Sequence, residues 1–270
     1  MHISFIGGGN MAEALISGLQ KHHFNMRHIH VIELDTNKRE QLHSTYGVEA
    51  NESIGDIAKS DIVILAVKPQ QLKTVTASIA PYLKQQCIIS IAAGVRLADL
   101  SRWLNDYLTI VRCMPNTPAQ IQAGVTALIA MPSVTKTQIE QADTILSAVG
   151  KTLWLDNEAK LDAVTAISGS GPAYVFYFIE ALQLAALELG LNENESRLLS
   201  LQTFAGASAL ASQSTVDVAT LRAQVTSKGG TTEQGLLSLQ NAQVKSAILE
   251  AAKAAAAKSV ELGNLLSQSG

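Results

Sequence analysis

F-I-G-G-G-N-M-A, Phe5 to Ala12, stands at the end of the short apolar run I-S-F-I and opens a stretch with apolar residues at helical spacing. Gly7, Gly9 and Ala12 fall at the G-x-G-x-x-G/A spacing, and each small residue has a physical reason to be there. Gly7 permits a tight turn, Gly9 lets backbone approach a pyrophosphate with no Cβ in the way, and Ala12 lets the helix pack closely on its strand. The pyrophosphate then meets N–H groups at a helix N-terminus. As a bare string the pattern is weak. Directly after a strand and opening a helix, it reads as a dinucleotide-binding turn.

Outward from this turn, to about residue 155, short apolar runs alternate with amphipathic helical stretches, the pattern of a parallel sheet with crossover helices. Strands are expected at I-S-F-I, I-H-V-I-E, D-I-V-I-L-A-V, C-I-I-S-I, T-I-V-R-C, V-T-A-L-I-A-M and K-T-L-W-L; most are near-continuous apolar runs, as strands buried on both faces should be. Helices are expected at Met11 to Lys21, Lys38 to Thr45, Gln71 to Leu83 and Thr137 to Val149. Beyond Asn157 the strand signals stop, and helices are expected to begin near Pro172, Glu193, Val218, Thr231 and Val244. The tract A-A-K-A-A-A-A-K-S, with Lys253 and Lys258, reads as a surface-facing or packed helix. The expected fold class is α/β, with a Rossmann-type, mostly parallel sheet over 1–157 and an all-helical second domain over 158–270.

The chain has 270 residues, 47% of them hydrophobic and 16% charged, which leaves little polar surface to isolate a monomer, so an oligomer is expected. A formal net charge of -3 with both signs interspersed offers no basic face for nucleic acid. Cys87 and Cys113 sit inside strand-like runs and read as small buried hydrophobes, so no metal site is expected. The start runs straight into a strand and turn, without a basic leader or a bilayer-length apolar stretch, so no membrane partner and a cytoplasmic address are expected.

The end of the second strand bears on which dinucleotide binds. Glu33 falls about where an acidic group bonds the ribose 2′-OH of NAD, yet Lys38 and Arg39 follow closely and either could meet a 2′-phosphate. A surface helix start explains both cations equally well, and the sequence leaves the choice open. Further on, A-V-K-P (Ala66 to Pro69) and I-A-A-G (Ile91 to Gly94) lie at carboxyl ends of strands, the edge where ligands bind in an open parallel sheet. The plainer reading is that Pro69 starts a helix at N1 and Gly94 ends a strand.

R-C-M-P-N-T-P places a loop stiffened by two prolines, Met114 to Pro118, at the same edge, projecting Asn116 and Thr117; both are also ordinary turn residues. S-G-S-G-P-A-Y, Ser168 to Tyr174, opens a long helix with Pro172 at N1 and Ser170 or Gly171 as its cap. S-K-G-G-T-T, Ser227 to Thr232, opens another. Two glycine-rich helix starts suit an anion, although simple capping is the plainer explanation of either one alone.

Taken in order, F-I-G-x-G-N-M-A, A-V-K-P, I-A-A-G-V, R-C-M-P-N-T-P, S-G-S-G-P-A-Y-V-F and G-G-T-T resemble the pyrroline-5-carboxylate reductases over nearly the whole chain. The resemblance implies reduction of 1-pyrroline-5-carboxylate to L-proline, the last step of proline biosynthesis, with NADPH as cofactor and NADH possible. It makes the second domain a dimerisation domain interleaved between two subunits, hence a homodimer through the C-terminal helices, with a decamer among the higher assemblies. The cofactor set expected is Ile6, Gly7, Gly8, Gly9, Asn10, Met11, Ala12, Glu33, Asn51, Ala66, Val67, Lys68, Pro69, Ala92, Ala93 and Gly94.

Such a substrate is a small cyclic imine with a carboxylate. Its reduction needs hydride at the ring carbon and a proton on nitrogen, and catalysis can come mainly from holding the imine against the nicotinamide. Between residues 161 and 227 there is no Lys and no His; the helix after Pro172 carries only Tyr174, Tyr177 and Glu180 as candidate groups. The β-hydroxyacid dehydrogenases, similar in architecture, place a catalytic lysine on that helix, so this chain fits imine reduction better than alcohol oxidation. Ser227, Gly229, Gly230 and Thr231, with Asn116 and Ser170, are the expected substrate-binding residues. Thr232 is the expected catalytic residue, its hydroxyl bonding the ring nitrogen, as the resemblance also implies; the alternative is that Thr231 or Thr232 only caps the helix.

Two departures stand out. Lys228 replaces the proline of the usual S-P-G-G-T-T and is expected to point to solvent, and the frequent H-P-G-x-L stretch reads V-D-V-A-T-L here, so no contact is carried over at Asp217 to Leu221. Reduction of a related cyclic imine or keto acid would use nearly the same residues. A non-catalytic redox sensor would bind the dinucleotide but would need neither glycine-rich helix start.

Overall fold

In the computed structural model, which describes residues 1–268, short apolar runs bounded by turns form β1 (Ile3–Ile6), β2 (Ile29–Ile32), β3 (Glu49–Asn51), β4 (Ile62–Leu65), β5 (Cys87–Ser90), β6 (Ile110–Met114), β7 (Gly124–Ala130) and β8 (Gly150–Trp154). They make one sheet in the order β3-β2-β1-β4-β5-β6-β7-β8. Strand order therefore reverses about β1, which pairs in parallel with β2 on one side and β4 on the other. The register Ile6↔Ile32 and Ile6↔Leu65 brings three carboxyl ends to one edge, the switch point where open α/β sheets bind ligands. The sheet is parallel from β3 to β6. At β7 it reverses, with Cys113 opposite Leu128, while β7 and β8 run parallel to each other.

The connecting helices are α1 (Asn10–Lys21), α2 (Thr36–Tyr46), α3 (Pro69–Ile79), α4 (Leu97–Trp103), α5 (Lys136–Ser147) and α6 (Lys160–Val164). Side chains alternate along the strands, so the sheet feeds two cores. On one face Phe5, Ile64, Ile89 and Val111 pack with Leu15, Ile16 and Leu19 of α1 and Ile145 and Leu146 of α5. On the other, Ile6, Val63, Leu65, Ile88 and Ile110 pack with Leu72 and Ile79 of α3 and Leu97 and Leu100 of α4. This two-faced burial is why the strands read as continuous apolar runs.

Three local expectations are corrected. β3 and α4 carry no strong sequence signal: E-A-N is three residues of strand with an exposed Glu49, and α4 starts at Leu97 behind Arg96, an N-cap whose side chain makes no capping bond. The helix expected over Gln71 to Leu83 ends at Ile79, because Pro81 has no N–H to continue it and the chain tightens into a 3₁₀ turn at Ala80–Tyr82. The helix start at Ser168 to Tyr174 is not capped by Ser170. Thr165–Gly169 forms a π-helical turn after α6, and Ser170 has helical backbone (φ -82, ψ -24) with its N–H donating to the Thr165 carbonyl at 2.8 Å. That turn supplies the acceptor a cap would have provided.

Past this point come α7 (Gly171–Glu188), α8 (Glu193–Gln213), α9 (Val218–Gln224), α10 (Thr231–Asn241) and α11 (Val244–Gln268). The chain divides into two compact units: one holds Met1–Ser170 together with α11 from Ala254 onward, the other Gly171–Lys253. The expected boundary at 157 thus lies earlier than the break in contacts, and the end of α11 belongs with the sheet. In the helical unit α7, α9 and α10 bury no residue, and Phe176 (64%), Tyr177 (69%) and Leu189 (85%) are largely exposed. A helix as apolar as α7 with nothing buried needs a further surface to cover it.

Both cysteines are buried in the sheet and neither forms a disulfide. Burial pushes the Cys87 thiol up to about 12. Cys113, donating to the Ser90 carbonyl at 3.3 Å, is raised as well by burial, with Arg112 acting weakly against it. A thiol so raised stays protonated near neutral pH and is a poor nucleophile. Native protein is therefore expected to show no titre with a thiol reagent over minutes at neutral pH, and two thiols per chain once denatured; fast native labelling at either position would contradict this burial.

Candidate active site

Gly7 leaves β1 with φ +96, its N–H donating to the Ile32 carbonyl at 2.8 Å. A Cβ there would stand 2.8 Å from the Ala66 carbonyl oxygen, so only glycine allows this turn to lie against the β4 exit. At Gly9 a Cβ would meet nothing within 4 Å: the backbone faces open space. Gly9 is also the N-cap of α1, with no side-chain cap, and the first intrahelical bond is Glu13 N–H to the Gly9 carbonyl at 2.9 Å. The N–H groups of Asn10, Met11 and Ala12 therefore have no intrahelical acceptor. Ala12, in the first turn of α1, is fully buried. These are the parts of a pyrophosphate cradle: open space, a helix N-terminus and N–H groups without helical partners.

Glu33 stands at the exit of β2. Its backbone N–H donates to the Asn51 carbonyl at 2.9 Å, which places the end of β3 beside it. Its carboxylate accepts from the Gly8 N–H at 2.8 Å through Oε2 and from the Asp35 N–H at 3.0 Å through Oε1. Asn51 turns its side chain away to Asp56 and to the Ser53 N–H, so only its backbone faces the Glu33 turn.

The turns after β4 and β5 reach the same edge. Lys68 is the exposed N-cap of α3 and Pro69 sits at N1, as the plainer reading has it. Gly94 has φ +80 and lies under α11: a Cβ would stand 3.4 Å from Leu266. Pro69, Ala93, Gly94, Thr165 and Ser170 line one cleft of about 540 Å³, and α11 contributes Lys258, Ser259 and Leu262 to it. That second wall was missed by sequence reasoning. Its signal is faint: in an alanine-rich helix, Ser259 and Gly263 are the buried positions, one turn apart, and Ser259 donates to Asp162 at 2.6 Å. Asn116 lies after β6, where its Oδ1 accepts the Val125 N–H at 2.9 Å and so ties the proline loop to β7.

The helical unit carries the other set. Gly229 has φ +72, Gly230 is the N-cap of α10, and Thr231 and Thr232 are its first two residues, both exposed. A glycine cap has no side chain, so neither threonine hydroxyl serves as the N-cap. The Gly229 N–H is already taken by the Glu233 carboxylate at 2.7 Å, and the Gly230 N–H by the Ser227 carbonyl at 3.0 Å. The first intrahelical bond is Gln234 N–H to the Gly230 carbonyl at 3.3 Å, so the N–H groups without an intrahelical acceptor at this helix start are those of Thr231, Thr232 and Glu233. Lys228 is exposed.

A nucleotide turn at a switch point, a cleft along the same strand edge and a helical unit of uncovered apolar helices define a Rossmann-type oxidoreductase with an oligomerising second domain. Residues 158–262 match the model of a family described as "Pyrroline-5-carboxylate reductase dimerisation", and 2–94 match "NADP oxidoreductase coenzyme F420-dependent". The chain is 43% identical over 268 residues to the pyrroline-5-carboxylate reductase of Pseudomonas aeruginosa, covering 98% of each. It is 38% identical to pyrroline-5-carboxylate reductase 2 of Bacillus subtilis over 96% of this chain and 94% of that one. Among solved structures, the enzyme of that name from Coxiella burnetii superposes with a TM-score of 0.92 at 38% identity, covering 97% of this chain and 98% of the other. A Plasmodium falciparum pyrroline carboxylate reductase with NADP bound gives 0.87 at 30%, with the same coverage. The chain belongs to the pyrroline-5-carboxylate reductase family.

Proposed function

We propose that this protein reduces 1-pyrroline-5-carboxylate to L-proline with hydride from NADPH or NADH, the last step of proline biosynthesis. The observation that carries the reading is the open Gly9 cradle at the carboxyl edge of the sheet, in a chain matching reductases of that name end to end. A reduced nicotinamide held there would supply the hydride for the C=N carbon; the π pair of that bond passes to nitrogen, which takes up one proton from water to give the ring amine.

The chain's own residues bind and orient. Gly7 to Ala12 hold the pyrophosphate, Ile6 and Gly8 shape the turn, Glu33 and Asn51 flank the adenosine ribose, and Ala66 to Pro69 with Ala92 to Gly94 line the strand edge. In the helical unit the Thr231 and Thr232 N–H groups hold the substrate carboxylate, and the Thr232 hydroxyl bonds the ring nitrogen. Ser227, Gly229 and Gly230 shape that loop, whose Gly229 N–H becomes a donor only when Glu233 yields it. Ser170 lines the cleft, and Asn116 fixes the proline loop and keeps its amide N–H for a polar ligand. Reduction with cofactor deuterated at the transferred position should give proline carrying one deuterium at the former imine carbon; proline without label would refute direct hydride transfer.

The working form is proposed to be a homodimer through the C-terminal helices, with a decamer as a higher assembly, because α7, α9 and α10 bury nothing within the chain. Light scattering should return twice the chain mass or a multiple of it, and a single-chain mass would contradict this. Two thiols without a disulfide suit the reducing cytoplasm, the proposed compartment.

A further inference from the structure

We infer that Glu33 makes NADH the preferred hydride donor over NADPH. The inference rests on the reading of the chain as a nicotinamide-dependent reductase and concerns the adenosine end of the site. The Glu33 carboxylate is not a loose surface group. Each of its oxygens accepts one backbone N–H, Oε2 from Gly8 in the glycine turn and Oε1 from Asp35, at 2.8 and 3.0 Å. It is therefore fixed against the turn that holds the pyrophosphate, at the end of β2, where the adenosine ribose lies in this fold. Ionised, it only accepts, and each oxygen keeps lone-pair capacity for a ribose hydroxyl. A 2′-phosphate at the same place would bring roughly two negative charges and no proton to offer.

Lys38 and Arg39 would have to counter that repulsion, and both are committed elsewhere. Lys38 Nζ is 2.6 Å from Glu13 Oε2 and 3.2 Å from Gln41 Oε1. Arg39 Nη1 donates to the carbonyls of Glu33 and Leu34, both at 2.8 Å, and Nη2 to Thr36 Oγ1 at 2.9 Å. Its remaining ionic neighbour is Glu52, at 4.0 Å. The cations thus brace α1 and the β2 exit, and recruiting either to a phosphate breaks existing bonds. The N-terminus of α2, another attraction for an anion, is already capped by Asp35.

The test measures Kd for NADH and NADPH by cofactor fluorescence on the full-length protein without imine, and kcat/KM for each with pyrroline-5-carboxylate. Wild-type protein should bind NADH at least tenfold tighter. Glu33→Gln, which keeps an acceptor for the Gly8 N–H but removes the charge, should shrink that preference at least fivefold. Lys38→Met and Arg39→Met should leave the preference within about twofold. Tighter binding of NADPH by wild type, an unchanged preference in Glu33→Gln, or a selective loss of NADPH in either cation variant would overturn the inference. Turnover of neither cofactor alongside the expected Kd ratio would leave it standing and sink the proposed reaction instead.

Discussion

Replacing Gly9 with alanine is expected to weaken binding of both NADH and NADPH by roughly ten- to a hundredfold, about 1.4 to 2.8 kcal/mol, while leaving the protein folded. The backbone at Gly9 is extended (φ -68, ψ 179), which alanine adopts without strain, and its Cβ would meet nothing within 4 Å. Folding should lose no more than about 1 kcal/mol, the difference between glycine and alanine as an N-cap. The methyl instead fills the space through which a pyrophosphate approaches the helix N–H groups. Gly7→Ala is the contrast. Its Cβ would stand 2.8 Å from the Ala66 oxygen at φ +96, so that variant should lose about 2 to 4 kcal/mol of stability as well as affinity. Isothermal titration and chemical denaturation separate the two. Wild-type affinity in Gly9→Ala would mean that the turn only joins a strand to a helix.

Thr232→Ala is expected to lower kcat/KM for pyrroline-5-carboxylate about a hundredfold, the low end for loss of a positioned acid–base group. The N-cap of α10 is Gly230, and Thr232 is exposed at the second helical position, so removing its hydroxyl breaks no cap. The melting temperature and the cofactor Kd should hold, and Thr232→Ser should keep activity within about tenfold because it keeps the hydroxyl. A loss of less than about threefold in Thr232→Ala would reduce the hydroxyl to a helix-start residue without a part in the reaction.

What could be read from sequence follows from how local each feature is. The Gly7 to Ala12 turn was legible because its geometry is set by adjacent residues: Gly7 needs positive φ, Gly9 needs a missing Cβ, Ala12 needs close packing. Two-faced burial made β1, β4, β5 and β6 legible as apolar runs. The reversal at β7 was not, because strand direction is set by the pairing, here Cys113 opposite Leu128, and the apolar run itself carries no direction. The cap expected at Ser170 failed for a similar reason: π-helical turns need no distinctive residue, only an acceptor at Thr165. The α11 wall of the cleft was hidden because an alanine-rich helix shows no strong face until Ser259 finds Asp162.

The ambiguity at Glu33 is the most instructive. Sequence placed one acid and two cations about where a ribose is expected. Only side-chain geometry showed the acid fixed on the glycine turn and the cations spent on Glu13 and on backbone carbonyls.

Oxidation of NADH and NADPH, followed in parallel by absorbance with purified protein and pyrroline-5-carboxylate, tests the central claim most directly. Imine-dependent oxidation is predicted with both cofactors, faster with NADH, and far slower when a six-membered ring imine is offered instead. Dinucleotide binding without imine-dependent oxidation of either cofactor would contradict the account and leave a non-catalytic sensor in its place.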